Sequence, residues 1–302
     1  MAREEYLSIT EYGEGEDEKQ KPACVIIDIH GGKPEDFLEE YPELARAVEV
    51  DEVTLLDYLD LEKDAGSTNV AHAVAQQIAG HQENLRAVVI SILYPRGIIE
   101  PQRLKSTDAV KNVYKTEEHP ELTAQFQGIH HRTQQTFHTT LENLLGKNPQ
   151  AILVDMHTMA SHNPRQQITV APDLIGDYIQ SFVDGQAYGA KRKIDIVTGR
   201  GKPNPRFSDE KLTTNMSEAL TKAGYGCAEN HPYFTLEGMT SDHLLQRYKG
   251  IGLDIPKDSL TISKPGDGVY SAICPDIDAL RAVQIATPIS SAILKTYFDR
   301  TM

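Results

Sequence analysis

Two apolar segments of the sequence each end in an aspartate and a histidine, residue types that bind metal ions and transfer protons. Residues 24–32 read Cys-Val-Ile-Ile-Asp-Ile-His-Gly-Gly, and residues 151–159 read Ala-Ile-Leu-Val-Asp-Met-His-Thr-Met. Short apolar runs of this kind are typical of buried strands in a parallel sheet. In open α/β sheets the ligand crevice lies beyond the carboxyl ends of the strands. We therefore expect His30 and His157 to meet at one sheet edge as two zinc ligands, completed by a carboxylate and by water. The alternative interpretation is a pair of hydrogen-bonded core histidines.

Strand-like and helix-like segments alternate along the whole chain. The apolar patterns predict strands over residues 24–30, 53–56, 86–94, 152–157, 193–197, 225–229 and 281–286, and helices over 34–50, 70–78, 120–145, 172–183, 208–223 and 289–298. This alternation predicts a three-layer α/β fold, with a mostly parallel or mixed sheet and helices on both faces. We expect one domain over residues 23–302, preceded by a flexible acidic arm over residues 1–22.

The composition excludes several classes of protein. A net charge of −14 argues against a nucleic-acid partner, which requires a basic face. The sequence contains no apolar run of membrane-spanning length and no signal-peptide pattern near Met1, so a cytoplasmic location without membrane contact is expected. The histidine-glycine segment at 30–32 lacks the glycine fingerprint and the phosphate loop of nucleotide-binding proteins. Whether the chain forms homo-oligomers is left open.

Seven short segments occur in an informative order. They are Ile-His-Gly-Gly at 29–32, Asp-Ala-Gly-Ser-Thr at 64–68, Pro-Arg … Glu-Pro-Gln-Arg at 95–103, His-His at 130–131, Asp-Met-His-Thr-Met at 155–159, Asp-Ile-Val-Thr-Gly at 195–199, and Gly-Tyr … Asn-His-Pro-Tyr at 224–233. In this order they resemble the N-formylglutamate amidohydrolase family. These are zinc hydrolases of the phosphorylase/hydrolase-like fold, related to zinc carboxypeptidases and aspartoacylase. The resemblance spans residues 24–295.

The resemblance implies that His30 and His157 bind one zinc ion, although such a site also suits other divalent metals. Asp28 and Asp155 each precede one of these histidines by two positions. Residues two apart in a strand face the same way, so either aspartate can orient its imidazole. The alternative is that both aspartates bond to nearby loop amides.

The third metal ligand is less clearly marked. Related carboxypeptidases use His-x-x-Glu, but the corresponding position here is Lys33. We assign Asp64, with Glu35 and Asp36 as alternatives.

The resemblance also implies a small-molecule substrate that carries a carboxylate. Arg103 would hold this carboxylate, because a guanidinium group offers a bidentate fork. Arg96 would assist it or polarise the scissile carbonyl. His131, Asn230 and Tyr233 are further candidates for substrate binding; a solvent-exposed or packing role is the alternative for each.

One motif departs from the family. Its last strand normally carries Gln-Ile-Glu, whose glutamate is the general base, but this chain has Gln284-Ile285-Ala286. Losing a general base typically reduces the rate about 10²–10⁴-fold. Glu229, at a neighbouring predicted strand end, is the candidate replacement. Otherwise the alignment is locally wrong, or hydrolysis has been lost.

Two functions follow from these observations. The first is a zinc-dependent amidohydrolase that cleaves the amide of an N-acylated, formyl-like, acidic amino acid or a related carboxylate. The alternative is a non-catalytic metal- or anion-binding descendant of the family, which depends on Ala286.

Overall fold

A mixed seven-stranded sheet forms the centre of the molecule. The computed structural model describes residues 6–13, 22–30, 32–82, 85–111, 113–146, 148–164, 174–183, 188–262 and 276–301. The strands of the main sheet are β1 (Leu7–Tyr12), β2 (Cys24–Asp28), β3 (Ala87–Ile92), β4 (Ile152–Met159), β7 (Ile194–Val197), β8 (Cys227–Glu229) and β9 (Ile251–Pro256). Two short strands, β5 (His162–Pro164) and β6 (Tyr188–Lys191), pair separately. Gly31, Cys274 and residues 14–19 of the acidic segment lie outside the described residues.

The strand order is β1-β3-β2-β4-β9-β7-β8. Four central strands, β3, β2, β4 and β9, run parallel to one another, whereas β1 and β7 are antiparallel to their inner neighbours. The central strands are buried on both faces, which explains why their sequences are continuously apolar rather than alternating.

Helices cover both faces of the sheet. They are α1 (Pro34–Glu40), α2 (Leu44–Val48), α3 (Glu52–Glu62), α4 (Ser67–Ala79), α5 (Pro120–Leu145), α6 (Ile175–Val183), α7 (Glu210–Lys222), α8 (Thr240–Tyr248) and α9 (Ala279–Thr301). Val25 and Ile27 point into a core shared with α1, α2, α3 and α5. Cys24 and Ile26 point into a second core shared with α4, α7 and α9. The predicted three-layer α/β architecture is confirmed.

Residues 53–56 were predicted as a strand, which is wrong, since they belong to helix α3. Asp51 caps this helix by accepting a hydrogen bond from the Thr54 amide at 2.9 Å. Leu55, Tyr58 and Leu59 then bury one helical face. A four-residue apolar run cannot distinguish a strand from a helix by periodicity alone.

The predicted strand at 281–286 is also wrong, because these residues lie within helix α9. Ala282, Ile285, Ala286 and Ile289 are buried at helical spacing, and α9 packs against α4 and α7. Ala286 is therefore a packing residue of the second core. The segment that resembles the family's last strand does not supply a strand here.

Two smaller expectations also change. The single helix predicted over residues 34–50 is divided into α1 and α2, with Pro42 between them, because proline disrupts a helix interior. Leu7–Tyr12, predicted as part of a loose arm, pairs with β3 as an edge strand. None of the helices in the described part of the chain combines the length and apolar character of a membrane span.

Candidate metal centre

His30 and His157 meet at the carboxyl edge of two neighbouring parallel strands. His30 directly follows β2, whereas His157 lies within β4, and these strands pair in register from Cys24↔Ile152 to Ile27↔Asp155. The two Nδ1 atoms lie 3.2 Å apart, and both rings are buried. The convergence predicted from the two strand-end motifs is present.

Asp64 completes a buried group of three metal-binding side chains. Its Oδ2 atom lies 2.9 Å from His30 Nδ1 and 2.8 Å from His157 Nδ1. All three ligand atoms lie within 4.8 Å of one another. Tetrahedral zinc with bonds of about 2.0–2.1 Å places its ligand atoms roughly 3.3 Å apart, so the group needs only a small adjustment to fit. The alternatives Glu35 and Asp36 are exposed in the first turn of α1.

The turn between α3 and α4 places Asp64 beside the histidines. The Asp64 amide donates to the His30 carbonyl at 3.4 Å, and the Ser67 hydroxyl donates to the Asp64 carbonyl at 2.7 Å. The Gly66 φ angle of 89° is favourable for glycine, so the chain can turn sharply from Asp64 into α4.

Each histidine presents its other ring nitrogen to a carboxylate. Glu100 Oε1 lies 3.2 Å from His30 Nε2, and Asp155 Oδ1 lies 2.9 Å from His157 Nε2. Carboxylates in this position fix the tautomer of a metal-binding imidazole and raise its basicity. Asp155 thus has the orienting position expected for it. Asp28 instead accepts hydrogen bonds from the hydroxyls of Ser67 and Thr68.

Nearby charges keep two of the carboxylates ionised. Burial alone would raise the pKa of Asp64, but the two imidazoles lower it below its usual range. Burial likewise opposes ionisation of Glu100, whereas Arg96 and Lys111 hold its pKa well below the usual value. Ionised carboxylates are the form that binds a metal or accepts an imidazole N–H.

The three side chains open onto a cavity of about 130 Å³. Its lining residues come from loops and strand ends that are far apart in sequence: His30, Asp64, Arg96, Gln102, Asp155, His157, Thr158, Val197, Tyr233, Phe234, Thr235, Met239, Ser241, Gly252 and Asp254. This volume is below the roughly 300–1,000 Å³ of drug-sized pockets, so the enclosed part of a ligand must be small.

Asp254 is a cavity residue that the sequence analysis missed. It lies on β9, paired with His157 on one side and with Asp195 on the other. Burial raises the pKa of Asp254 to about 7, and the charges of Asp64, Asp195 and Asp155 add to this effect. The signal was present in the sequence, because Ile-Gly-Leu-Asp-Ile at 251–255 is another apolar run interrupted by an aspartate.

Gln102 and Ser241 connect the loop after β3 with helix α8 at the cavity. Gln102 Nε2 donates to Ser241 Oγ at 2.5 Å, and the Ser241 amide donates to Gln102 Oε1 at 3.0 Å. Ser241 also donates to Asp155. These contacts support the carboxylate that faces His157.

Two of the five predicted substrate-binding residues line the cavity. Arg96 lies 3.3 Å from Glu100 and 3.7 Å from Asp64, and Tyr233 lies on the segment after β8. Arg103 and His131 are exposed and lie outside the lining. Asn230 also lies outside it, and its amide side chain bonds to the backbone and hydroxyl of Thr198.

Glu229, the predicted base, is not brought to the cavity. It lies at the end of the edge strand β8, accepts a hydrogen bond from Thr198 Oγ1 at 3.0 Å and pairs with Arg206. The lining carboxylates are Asp64, Asp155 and Asp254. The order of strands in the sheet explains the difference, because β9, and not β8, lies next to β4.

The segment that carries Tyr233 is anchored by a buried carboxylate. Asp195 accepts hydrogen bonds from the amides of His231, at 2.9 Å, and Tyr233, at 2.7 Å. The Thr235 amide donates to the Gly199 carbonyl at 2.9 Å. These bonds fix the backbone on both sides of Phe234.

Comparison with known proteins agrees with this architecture. No curated protein matches the chain. The crystal structure of N-formylglutamate amidohydrolase from Ralstonia eutropha JMP134 has a TM-score of 0.59 at 13% identity, covering 97% of this chain and 99% of that one. The crystal structure of gene product Atu2144 from Agrobacterium tumefaciens has a TM-score of 0.57 at 13% identity, covering 99% and 97%. At this identity both similarities show the fold.

The family follows from the sequence itself. The family model described as N-formylglutamate amidohydrolase matches residues 75–259, which include His157, Asp254 and the loop with Arg96. This match covers more than half of the chain, and the motif order from 29 to 233 had already indicated the same group of hydrolases. The chain belongs to the N-formylglutamate amidohydrolase family.

Proposed function

We propose that this protein is a zinc-dependent amidohydrolase that cleaves a small N-acyl group, such as formyl, from a carboxylate-bearing amine. One observation carries the proposal: the Nδ1 atoms of His30 and His157 and the Oδ2 atom of Asp64 converge within hydrogen-bond distances of one another. Family membership supports the amide as the bond that is cleaved. Residues 23–302 are treated as one catalytic domain, because α9 near the end of the chain packs on α4.

His30, Asp64 and His157 are the proposed metal ligands. Zinc bound there would lower the pKa of water and polarise the scissile carbonyl. The chain's own contribution is to present two imidazoles in a fixed tautomer, through Glu100 and Asp155, and one ionised carboxylate. A site with two histidines and one carboxylate also suits other divalent ions, so the identity of the metal belongs to the test.

Asp254 is the proposed proton acceptor, in place of Glu229. Its position on β9, beside His157 on β4, puts a carboxylate into the cavity next to the metal ligands. A carboxylate there can accept a proton from the attacking water and then deliver it to the nitrogen of the departing amine. Glu229 cannot perform this role from its ion pair with Arg206 at the sheet edge.

Arg96 is the proposed partner of the substrate carboxylate or carbonyl, because it is the guanidinium among the lining residues. Tyr233 lies beside the cavity as a hydrogen-bonding and packing residue. The expectation of an acidic amino acid depended on Arg103, which is exposed outside the lining. The proposal therefore keeps one substrate carboxylate and assigns it to Arg96.

The non-catalytic alternative depended on Ala286 occupying the position of the base. Ala286 is buried in helix α9, within the core on the other side of α4 from solvent, and does not line the cavity. Its lack of a carboxylate therefore has no bearing on proton transfer.

The test is amine release from a panel of N-formyl, N-acetyl and N-succinyl amino acids, with zinc-loaded and chelator-stripped protein compared. We expect release that depends on added metal, that is lost in His157→Ala and that is retained in the exposed control His131→Ala. Release by His157→Ala at the wild-type rate would contradict the proposal.

A further inference from the structure

We infer that the preferred substrate carries an uncharged, apolar group beside the scissile amide, as in an N-acyl derivative of a hydrophobic amino acid. This inference rests on the proposed amidohydrolase function and specifies its substrate class. It departs from the acidic amino acid that the family resemblance suggests. The charge balance of the cavity and the side chains that form its outer wall carry the argument.

The cavity has few cations for a substrate with two carboxylates. Three carboxylates line it, Asp64, Asp155 and Asp254, whereas Arg96 is the arginine among the lining residues. Arg96 is already shared between Glu100 at 3.3 Å and Asp64 at 3.7 Å. A first substrate carboxylate can replace part of this pairing, but a second would face carboxylates without a matching cation, which is unfavourable in a buried site.

The nearest other guanidinium groups are occupied by partners of their own. Arg200 forms a two-pronged pair with Asp242, at 2.9 and 2.7 Å. Arg192 donates to the Tyr233 hydroxyl at 2.9 Å, and its guanidinium carbon lies 5.2 Å from the centre of that ring. Recruiting either one for a second substrate carboxylate would require breaking these contacts.

The other wall of the cavity is apolar. Val197 at the end of β7, Phe234 and Met239 all contribute to the lining. Phe234 is 46% exposed, which is unusual for a large aromatic side chain that has no ligand to cover it. Gly252 lies in the same lining without a side chain, and a Cβ atom there would lie 2.9 Å from Val197 Cβ.

The backbone holds Phe234 in a fixed position instead of leaving it on a loose loop. Asp195 binds the Tyr233 amide on one side, and the Thr235 amide donates to Gly199 on the other. Gly201, at a φ angle of 71°, lies directly against the phenyl ring, where an added Cβ atom would lie 3.4 Å from Phe234 Cβ. A preformed apolar wall reduces the ordering cost of binding an apolar substrate group.

The experiment compares kcat/KM of the zinc-loaded protein for N-formyl derivatives of methionine, leucine and phenylalanine with those of glutamate and aspartate. We expect the apolar set to exceed the acidic set by at least about tenfold, the scale on which a hydrophobic pocket discriminates. Phe234→Ala should reduce kcat/KM for the apolar set by about tenfold and for the acidic set by less than about threefold. Leu236→Ala is the matched control, because Leu236 is 53% exposed on the same segment and lies outside the lining.

Equal or better turnover of the acidic set would overturn the inference while leaving the proposed function intact. The same conclusion would follow if Leu236→Ala and Phe234→Ala had equal effects. Absence of turnover for the whole panel would count against the proposed function. Calorimetric binding of N-formyl-methionine and N-formyl-glutamate to the zinc-loaded protein would then decide the inference, because it predicts tighter binding of the methionine derivative and is overturned by tighter binding of the glutamate derivative.

Discussion

The Nδ1 atoms of His30 and His157 lie 3.2 Å apart, although 127 positions separate the two residues in the chain. Each ring presents its Nε2 atom to a carboxylate, Glu100 or Asp155, so each Nδ1 is left as a lone-pair acceptor. Two such acceptors and the Asp64 carboxylate then face one point. Acceptors that converge in this way repel one another unless a cation lies between them, which is the physical basis of the proposed metal centre.

The carboxylates behind the histidines provide the first prediction. Glu100→Gln and Asp155→Asn should each weaken zinc affinity by about 10–100-fold, because the orienting partner of a ligand is lost. Competition with a chromophoric chelator measures this affinity. Glu218→Gln is the control, since Glu218 is exposed on α7 with Lys295 3.8 Å away. Wild-type affinity in both test variants would contradict the assigned orientation of the rings.

The second prediction concerns Asp254. Asp254→Asn should lower kcat by about 10²–10⁴-fold while one zinc per chain remains bound, because only the proton acceptor is removed. Steady-state kinetics together with metal analysis check this. Glu229→Gln should leave kcat within about threefold of wild type, since Glu229 pairs with Arg206 outside the cavity. Loss of turnover in Glu229→Gln, with Asp254→Asn active, would instead support the assignment from sequence.

Ala286 provides a prediction in which sequence and structure disagree. If Ala286 occupied the position of a missing base, Ala286→Glu would raise hydrolysis. Because Ala286 is fully buried in α9, the structure predicts no gain in hydrolysis and a loss of roughly 3 kcal/mol or more in the free energy of unfolding, the cost of an unpaired buried charge. Chemical denaturation measures the loss. Val283→Glu, at a 45% exposed position of the same helix, should stay within about 0.5 kcal/mol of wild type.

Asp195 provides the fourth prediction. Asp195→Ala should leave the amides of His231 and Tyr233 without their acceptor, at a cost of about 1–3 kcal/mol for each unsatisfied buried group. The variant should also raise KM for N-formyl-methionine, because the backbone that holds Phe234 is released. Denaturation and kinetics measure the two effects. Asp177→Ala, at an exposed position of α6, should change neither, and equal effects in both variants would contradict the anchoring role.

The strands that form the metal centre could be predicted from the sequence because they are buried on both faces. The segments at 24–30 and 152–157 are continuously apolar, end in polar residues and correspond to β2 and β4. The long helix at 120–145 was predicted with its observed bounds, since a proline opens it and a glycine follows it. Asp64 was placed by resemblance, and the turn before α4 brings it to the histidines.

The remaining parts of the site depend on tertiary contacts that spacing does not encode. Strand β9 was missed because its apolar run contains Gly252 and Asp254 and ends in a proline, so it resembles a loop. The buried helical face of α9 was mistaken for a strand for the opposite reason, since its β-branched residues favour one. The relative positions of Arg96 and Arg103 follow from the path of the loop after β3, which the sequence does not reveal.

The most direct measurement of the central claim is a calorimetric zinc titration of chelator-stripped protein, with circular dichroism confirming that the chain is folded. The structure predicts one zinc site per chain in the wild type and in His131→Ala, and no such site in His157→Ala. Folded wild-type protein that binds no zinc, or His157→Ala that binds it as wild type does, would contradict the assignment of His30, Asp64 and His157 as a metal centre.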